Sequence, residues 1–491
     1  MAVSNIGLNG SLYMGAQALG ANQIAIQTTG NNIANINTPG YVRQRANFAT
    51  EVQANSTGEI DDGTQVSDIE NLTSSLLNSL VQQSLGSQGY ADNQASMTST
   101  VQDALGEQFT SNSSSSTSST TQAGEGAIQN ALTTFFTDFQ NLANNPTSTS
   151  ARQVLVQDAQ TLATSINGAY QRLQSTQSQI AGDASNVTTQ INSLSTKIAS
   201  LNQQIIAVQA SGTNANDLED ARESDIESLS SLVNVTATTQ SDGTVTVALA
   251  DNSSVVLVDG SDSNGQGTTQ SLSASYSATG NPPLTISAST TGTLGAGVPS
   301  SGSLGSDLDV ANNVIGSPAA NGNTGLLGQL DGVASALISA VNSQNEAGYD
   351  LNGNQGGAFF SGTGAANIAV SSGVAGNPST IAASSTAGNT LDGSNALAIA
   401  NLETNNSSIL PAFQNMVSNL GETVSTAASS QTTQDQITQQ VQDQRNSVSG
   451  VSIDEEMTNL INFQQSYAAS ARFLSTISSL YDTLLSMAPP S

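Results

Sequence analysis

Residues 159–208 read AQTLATSINGAYQRLQSTQSQIAGDASNVTTQINSLSTKIASLNQQIIAV. Stepping alternately by four and three from Ala159 gives Ala163, Ile166, Tyr170, Leu173, Gln177, Ile180, Ala184, Val187, Ile191, Leu194, Ile198, Leu201, Ile205 and Val208. Only Gln177 in this series is clearly polar, and no proline interrupts it. The pattern is a heptad repeat sustained over about seven repeats, thinnest at Ala159 and Ala163 and richest from Val187 onward. A helix of this length forms a rod of about 75 Å. Such a rod predicts packing against other long helices.

Helical partners are legible on both sides. Residues 126–143 (GAIQNALTTFFTDFQNLA) read as a helix ending near Pro146, 215–233 as another, and 72–97 as a second N-terminal helix. Phe413, Val417, Leu420, Val424 and Ala427 begin a further stripe that weakens through Gln431 and Gln434 and recovers at Val441. A seam rich in Gln and Ser predicts a helix held mainly by packing.

Both termini carry the same spacing. Near the start it runs Leu8, Leu12, Gly15, Leu19, Asn22, Ile26, Thr29 and Ile33. Near the end it runs Ile453, Met457, Leu460, Gln464, Tyr467, Ala471, Leu474, Ser478, Tyr481 and Leu485, with a second stripe at Phe463, Phe473, Ile477, Leu480, Leu484 and Met487. A helix apolar on two sides belongs between several neighbours. Pairing the two terminal helices covers one stripe. The other is satisfied within the monomer or kept for neighbouring subunits, and the sequence leaves both open.

Between the helical halves the period changes to two. NVTATTQSDGTVTVALADNSSVVLVDG (234–260) alternates around Asp242-Gly243, a hairpin signal, and LTISASTTGTLGAGV (284–298) continues it. Helical residues return at 306–315 and 326–343, and SNSSSSTSSTT (111–121) reads as a low-complexity loop or linker. The expected fold is multidomain and mainly α: a long helical coiled-coil bundle formed by N- and C-terminal segments, with an inserted β-rich domain. Its expected divisions are 1–44 with 451–491 as a terminal helix pair, 45–233 with 400–450 as the long-helix bundle (joined by some of 300–345), and 234–399 as the outer insertion.

Composition excludes whole classes of function. Of 491 residues, 37 are acidic and 8 basic, for a formal net charge of −29. Phosphate backbones and anionic lipid repel such a surface, so neither nucleic acid nor membrane is an expected partner. There is no His, Cys or Trp, which removes His-dependent triads, thiol chemistry and the commonest zinc sites. Lys197, the one lysine, has no GxxxxGK around it. The acidic runs Asp61-Asp62 and Asp454-Glu455-Glu456 read as polar or helix-start features stabilised by the helix dipole rather than as acid/base pairs. GYDLNGNQGG (348–357) lacks the spacing and closing Glu of a calcium loop and reads as a turn. The expectation is therefore no catalytic, cofactor or metal site, and no enzyme. No secretory signal or membrane-spanning stretch is visible at the start. The absence of Cys suits a cytosolic chain and equally one exported unfolded.

Two terminal motifs carry a family resemblance. TGNNIANINTPGYVRQ (29–44) resembles the N-terminal signature of the flagellar axial proteins, with a helix ending near Ile36-Asn37 and a turn at Pro39-Gly40. SVSGVSIDEEMTNLINFQQSYAASARFLSTISSLYDTLLSM (447–487) resembles the hook-associated branch, as do residues 216–235, 301–315 and 345–360. The chain departs from the family in its depletion of Arg and Lys.

The resemblance implies a structural, non-enzymatic subunit at the hook–filament junction, extracellular on the bacterial flagellum after export through the flagellar type III system. It implies a ring or tube of copies, contact with the hook protein and a second hook-associated junction protein, and a cytoplasmic export chaperone on the C-terminal helix. The residues it assigns to assembly are Leu8, Leu12, Leu19, Ile26, Ile33, Asn35, Pro39, Gly40, Tyr41, Arg43, Ile453, Met457, Leu460, Tyr467, Leu474, Ile477, Tyr481, Leu484 and Leu485. Three alternatives compete. A hook or rod protein would place a β-rich region directly after the N-terminal motif, where this sequence reads as helix. An adhesin or coat protein would display a β domain on a helical stalk, and a cell-wall enzyme would need a carboxylate pair within 234–400.

Overall fold

A computed structural model describes residues 8–38, 40–55, 58–106, 127–260, 267, 270–295, 299–317 and 325–487, without the side chains of 8, 9, 51–55, 58–62, 484, 485 and 487. The chain opens with α1 (Leu8–Ala34). Two long antiparallel strands follow, β1 (Gln44–Asn55) and β2 (Gly58–Asn71), with register shifts at Asn47/Phe48 and Glu51/Val52. Helices were expected to follow the N-terminal motif directly. The region is instead a two-stranded ribbon, whose large apolar residues, Phe48, Val52, Ile60, Val66 and Ile69, are too sparse to make a continuous helical stripe.

The ribbon leads into α2 (Ser75–Leu105), capped by Ser74 Oγ accepting from Leu77 N and ended by Gly106 at φ 75°. Then come α3 (Ala127–Asn144) and α4 (Thr149–Gln209), the heptad stretch, 61 residues long and about 90 Å. Ser148 caps its start, its Oγ accepting from Ala151 N at 3.1 Å. Next is α5 (Asn216–Leu232), with Asp217 and Glu219 in its first turn. β3 (Val235–Thr239), β4 (Val245–Leu249) and β5 (Val256–Val258) form one antiparallel sheet, and β6 (Leu272–Tyr276), β7 (Leu284–Ala288) and β8 (Gly292–Thr293) another. The expected hairpin turns at Gly243, at φ 80°, with Asp242 Oδ1 accepting from Thr244 N.

The chain continues through α6 (Gly302–Asp309), which runs into a π-helical turn at Val310–Ile315, to α7 (Leu326–Ala347). The short strands β9 (Phe360–Ser361) and β10 (Ala369–Val370) pair, and α8 (Ser372–Gly376), α9 (Ser394–Ala400) and α10 (Leu402–Asn405) follow. The last helices are α11 (Leu410–Ser449), with Pro in its first turn, and α12 (Ile453–Met487).

The α4 seam is buried as the heptads require: all its positions from Ala159 to Val208 are buried except Val187, Leu194 and Val208, which are half-buried. Its cover differs from the expectation. α3, α5 and the sheets pack against α4, while the long helix α11 pairs mainly with α2. Shorter elements suffice because they follow one another along the rod. The polar seam residue Gln177 is fully buried, donating to Ala311 O and Gly316 O at 2.7 Å each and accepting from Tyr276 Oη.

Two asparagines do the same for the sheets. Asn192 exchanges both backbone bonds with Leu272 at 2.8 Å, and Asn202 does so with Val245 at 2.8 and 3.1 Å. An amide side chain thus supplies the donor and acceptor of a missing strand neighbour. The insertion therefore lies along the rod and shares its core rather than burying a separate one. In that core Phe135, Phe139, Phe359 and Phe360 form edge and tilted pairs with centroids 4.9–5.7 Å apart. Buried Arg152 donates to Pro146 O, Pro378 O and Ile381 O, tying the α3–α4 turn to the segment after α8.

The α2–α11 seam is polar, as its sequence predicts. Gln88 donates to Asp435 at 2.6 Å, Gln431 to Asp92 at 3.0 Å, and Thr438 to Ser84 O at 3.3 Å.

Candidate assembly interface

The N-terminal motif folds back on itself before it meets anything else. α1 ends at Ala34, Asn35 donates to Asn31 O and accepts from Thr38 Oγ1 at 3.1 Å, and Gly40 takes φ 79° to reverse the chain. This returns Tyr41 and Gln44 to the side of Asn32, which is 1% exposed. Asn32 Oδ1 accepts from Tyr41 Oη and Gln44 N, both at 2.9 Å, while its Nδ2 donates to Gln44 O at 2.8 Å.

Asn32 Nδ2 also donates to Glu456 Oε2 at 3.0 Å, across 424 residues of sequence. Arg43 completes the junction: Nε meets Glu456 Oε1 and Nη1 meets Glu455 Oε2, both at 2.7 Å. Arg43 N further donates to Ser449 O at 3.0 Å. The run read as a plain helix start is thus where the two chain ends are joined. Glu456 and Asn32 were missed as site residues, although both stand inside the recognised motifs. A single sequence does not say which motif residue turns inward.

α5 supports the other side. Asp220 accepts from Val42 N at 3.1 Å and Asn71 Nδ2 at 2.7 Å. Burial pushes its carboxyl up to about 7, the Val42 bond opposing and Asp217, Glu219 and Glu223 adding to the rise. Burial first, then Asp217, Asp220 and Glu456, push the Tyr41 phenol up to about 12. Beside them a cleft of about 540 Å³ is lined by Glu219, Asp220, Glu223, Glu227 and Arg445 among others. Burial raises Glu223, which accepts from Gln82 at 2.9 Å, and Arg445 pairs with Glu227. Among the described residues no cluster of three or more carboxylates could hold a metal ion, and no helix is long and apolar enough to cross a membrane.

From this junction α1 and α12 pack along one another. Leu12, Leu19, Ile26 and Ile33 of α1 are half-buried, as are Leu460, Phe463, Leu474 and Ile477 of α12. Gly15 permits the approach: a Cβ there would lie 2.8 Å from Leu474 Cγ. Phe48 of the ribbon stacks on Phe463 at 6.0 Å.

The other α12 assignments do not join this seam. Ile453 (51%), Met457 (44%), Tyr467 (39%) and Tyr481 (42%) are exposed, as are Ile461, Phe473 and Leu480. A 3.5-residue stripe drawn on a 3.6-residue helix drifts around the axis, about 20° per heptad, so one stripe begins and ends off the packed face. Pro39 and the side chains of Leu8, Leu484 and Leu485 lie outside the described residues.

Comparison with known proteins follows the same geography. A family model described as "Flagellar hook-associated protein FlgK helical domain" matches residues 114–360. The chain belongs to the flagellar hook-associated protein family. It is a structural component of the flagellum. Models for "Flagella basal body rod protein" and "Flagellar basal body rod FlgEFG protein C-terminal" match only the ends, 12–41 and 442–487.

Flagellar hook-associated protein 1 of Bacillus subtilis is 28% identical over 97% of this chain and 98% of its own. The proteins of the same name from Salmonella typhimurium and Escherichia coli are 27% and 26% identical over 96% of this chain and 98% of theirs. The flagellar hook junction protein FlgK from Burkholderia pseudomallei has a similar fold, with TM-score 0.60 at 18% identity, covering 76% of this chain and all of that one.

Proposed function

We propose that this subunit works as an adaptor whose terminal helix pair, largely disordered in the free chain, orders when copies assemble into a ring or tube. One observation carries the reading: Glu456 is the only buried side chain among those described on α12, although the helix is apolar on two sides. Each large apolar side chain covered on assembly contributes about 1.5–3 kcal/mol, and several offset the entropy of ordering the pair. Its neighbours are the hook protein on one side and a second hook-associated protein on the other. Before export through the flagellar type III channel a cytoplasmic chaperone holds α12. The subunit then acts outside the cell as a scaffold, without catalysis.

We divide the chain accordingly: residues 1–44 and 451–491 as the inner pair, 45–233 with 400–450 as the next shell, and 234–399 on the outside, with the assembly residues named above lying on the inner pair. Deleting 453–487 is expected to abolish filament growth while leaving the body folded, and filaments growing at normal number on such cells would end the adaptor reading. Replacing each acidic residue of 234–400 is expected to leave motility intact, against the cell-wall enzyme alternative.

A further inference from the structure

Two blocks of this molecule meet at a narrow polar joint. α1, the ribbon and α12 pack on one another, and α2 to α11 pack among themselves as the body. Among the described residues, none of the extensive helix and strand contacts runs between the two blocks. The chain crosses from one to the other at 72–74 and at 450–452. Two clefts flank the joint, one of about 540 Å³ beside α5 and one of about 530 Å³ between the ribbon base and residues 212–218.

The bonds that span the joint come mainly from one place, the turn between α4 and α5 and the start of α5. Asn214 Nδ2 and Asn216 Nδ2 both donate to Ile69 O, at 2.7 and 2.8 Å. Asp217 Oδ1 accepts from Gln44 Nε2 at 3.4 Å. Asp220 accepts on one oxygen from Val42 N, just before β1, and on the other from Asn71 Nδ2, at the end of β2. The turn thus grips both strands of the ribbon at their base. At the second crossing Arg43 N donates to Ser449 O.

Small polar contacts do not lock two bodies together as a large apolar interface does. Here the lever is long. α4 runs about 90 Å from this turn, so a rotation of about 5° at the joint carries its far end through about 8 Å. Neighbouring bodies stay in line only if the joint keeps one angle.

We propose that the α4–α5 turn is a clamp that sets the angle between the terminal block and the body, with Asn214, Asn216 and Asp220 as its positioning residues. The proposal rests on the adaptor reading, in which bodies come into line as the terminal pairs assemble. Asp220 is the central member, because one carboxylate satisfies a donor from each end of the ribbon.

The test uses the full-length chain in cells lacking their own copy, reading the fraction incorporated into sheared flagella against that shed into the medium. Asp220→Ala and the Asn214→Ala/Asn216→Ala double variant are each expected to lower incorporation about tenfold. A denaturant titration of the same chains is expected to show an unchanged midpoint for the body. Asp220→Asn keeps an acceptor for Val42 N, and Asn71, whose Oδ1 has no hydrogen bond, can turn that oxygen toward the new amide. Its incorporation is expected to stay within about twofold of normal. Normal incorporation of Asp220→Ala or of the double variant would overturn the clamp, and so would Asp220→Asn as defective as Asp220→Ala. A midpoint that falls along with incorporation would show that these bonds hold the fold of the body rather than its direction, which also overturns it. Deleting 453–487 separates this from the reading beneath it. If that deletion blocks filament growth while the clamp variants assemble normally, only the clamp is wrong; if growth continues without 453–487, the adaptor reading itself is wrong.

Discussion

α4 and α12 are written in the same heptad spacing and meet opposite fates. α4 buries nearly its whole seam and also Gln177, Asn202 and Arg152, each with its donors satisfied. α12 leaves Ile453, Met457, Ile461, Phe473 and Leu480 exposed. The difference lies in what else the chain offers each helix. Sheets and short helices follow one another along α4, whereas among the described residues α12 packs on the uncharged α1 and, through Phe463, on Phe48 of the ribbon. Apolar periodicity states that a helix has a partner; it does not state whose chain supplies it.

The contrast breaks most directly in the core. Phe359→Ala, opening the ring cluster, is expected to cost about 3–5 kcal/mol of monomer stability in a denaturant titration. Leu480→Ser is expected to change the same titration by less than about 0.5 kcal/mol, as for a surface site. Equal losses from the two would show that α12 is folded as firmly as α4 in the free chain.

The junction sharpens it. Arg43→Ala strands Glu456, which is 2% exposed, and is expected to weaken the docking of α12 by about 3 kcal/mol. In assembled flagella, hydrogen exchange should rise along α12 and stay unchanged along α4; uniform protection in both would refute the assignment. Gly15→Ala sets a gain in helix propensity against the clash with Leu474, and a net loss of about 1 kcal/mol in the α1–α12 contact is expected. Tighter protection of α12 in this variant would show that the gap tolerates a methyl group.

The smallest effect concerns pH. The chain has no His, so its response between pH 5 and 8 falls to displaced carboxyls. Burial pushes Asp220 and Asp307 up to about 7, and Asp138, beside Asp158, up to about 6. The folded state therefore keeps protons that an unfolded chain releases near the ordinary value of 3.8. Their contribution is full at low pH and is lost as pH rises through 6 to 7. Denaturation midpoints should fall from pH 5 to pH 8, and Asp220→Asn should flatten part of that slope. A midpoint that climbs over the same range would contradict these shifts.

Much of this was readable beforehand for a physical reason. A buried stripe needs a periodic run, so the α4 seam, the helices after Gly126 and Asn214, and the Asp242-Gly243 hairpin all announce themselves locally. The ribbon at 44–71 does not, because a two-stranded arm packed on one helix alternates too weakly to be told from loop. Glu456 looked like any helix-start acid, and Asn32 like any motif asparagine, until the chain reversal at Gly40 brought Arg43 between them.

The sequence alone determined the rod, the sheets, the excluded chemistries and the family resemblance at both ends, because each rests on residue type and short spacing. Only the tertiary structure decided which face of α12 meets α1, that the sheets share the core of the rod, and that Arg43 joins Glu456 of the far end. Those outcomes depend on contacts between residues hundreds of positions apart, where geometry rather than local pattern chooses the neighbour.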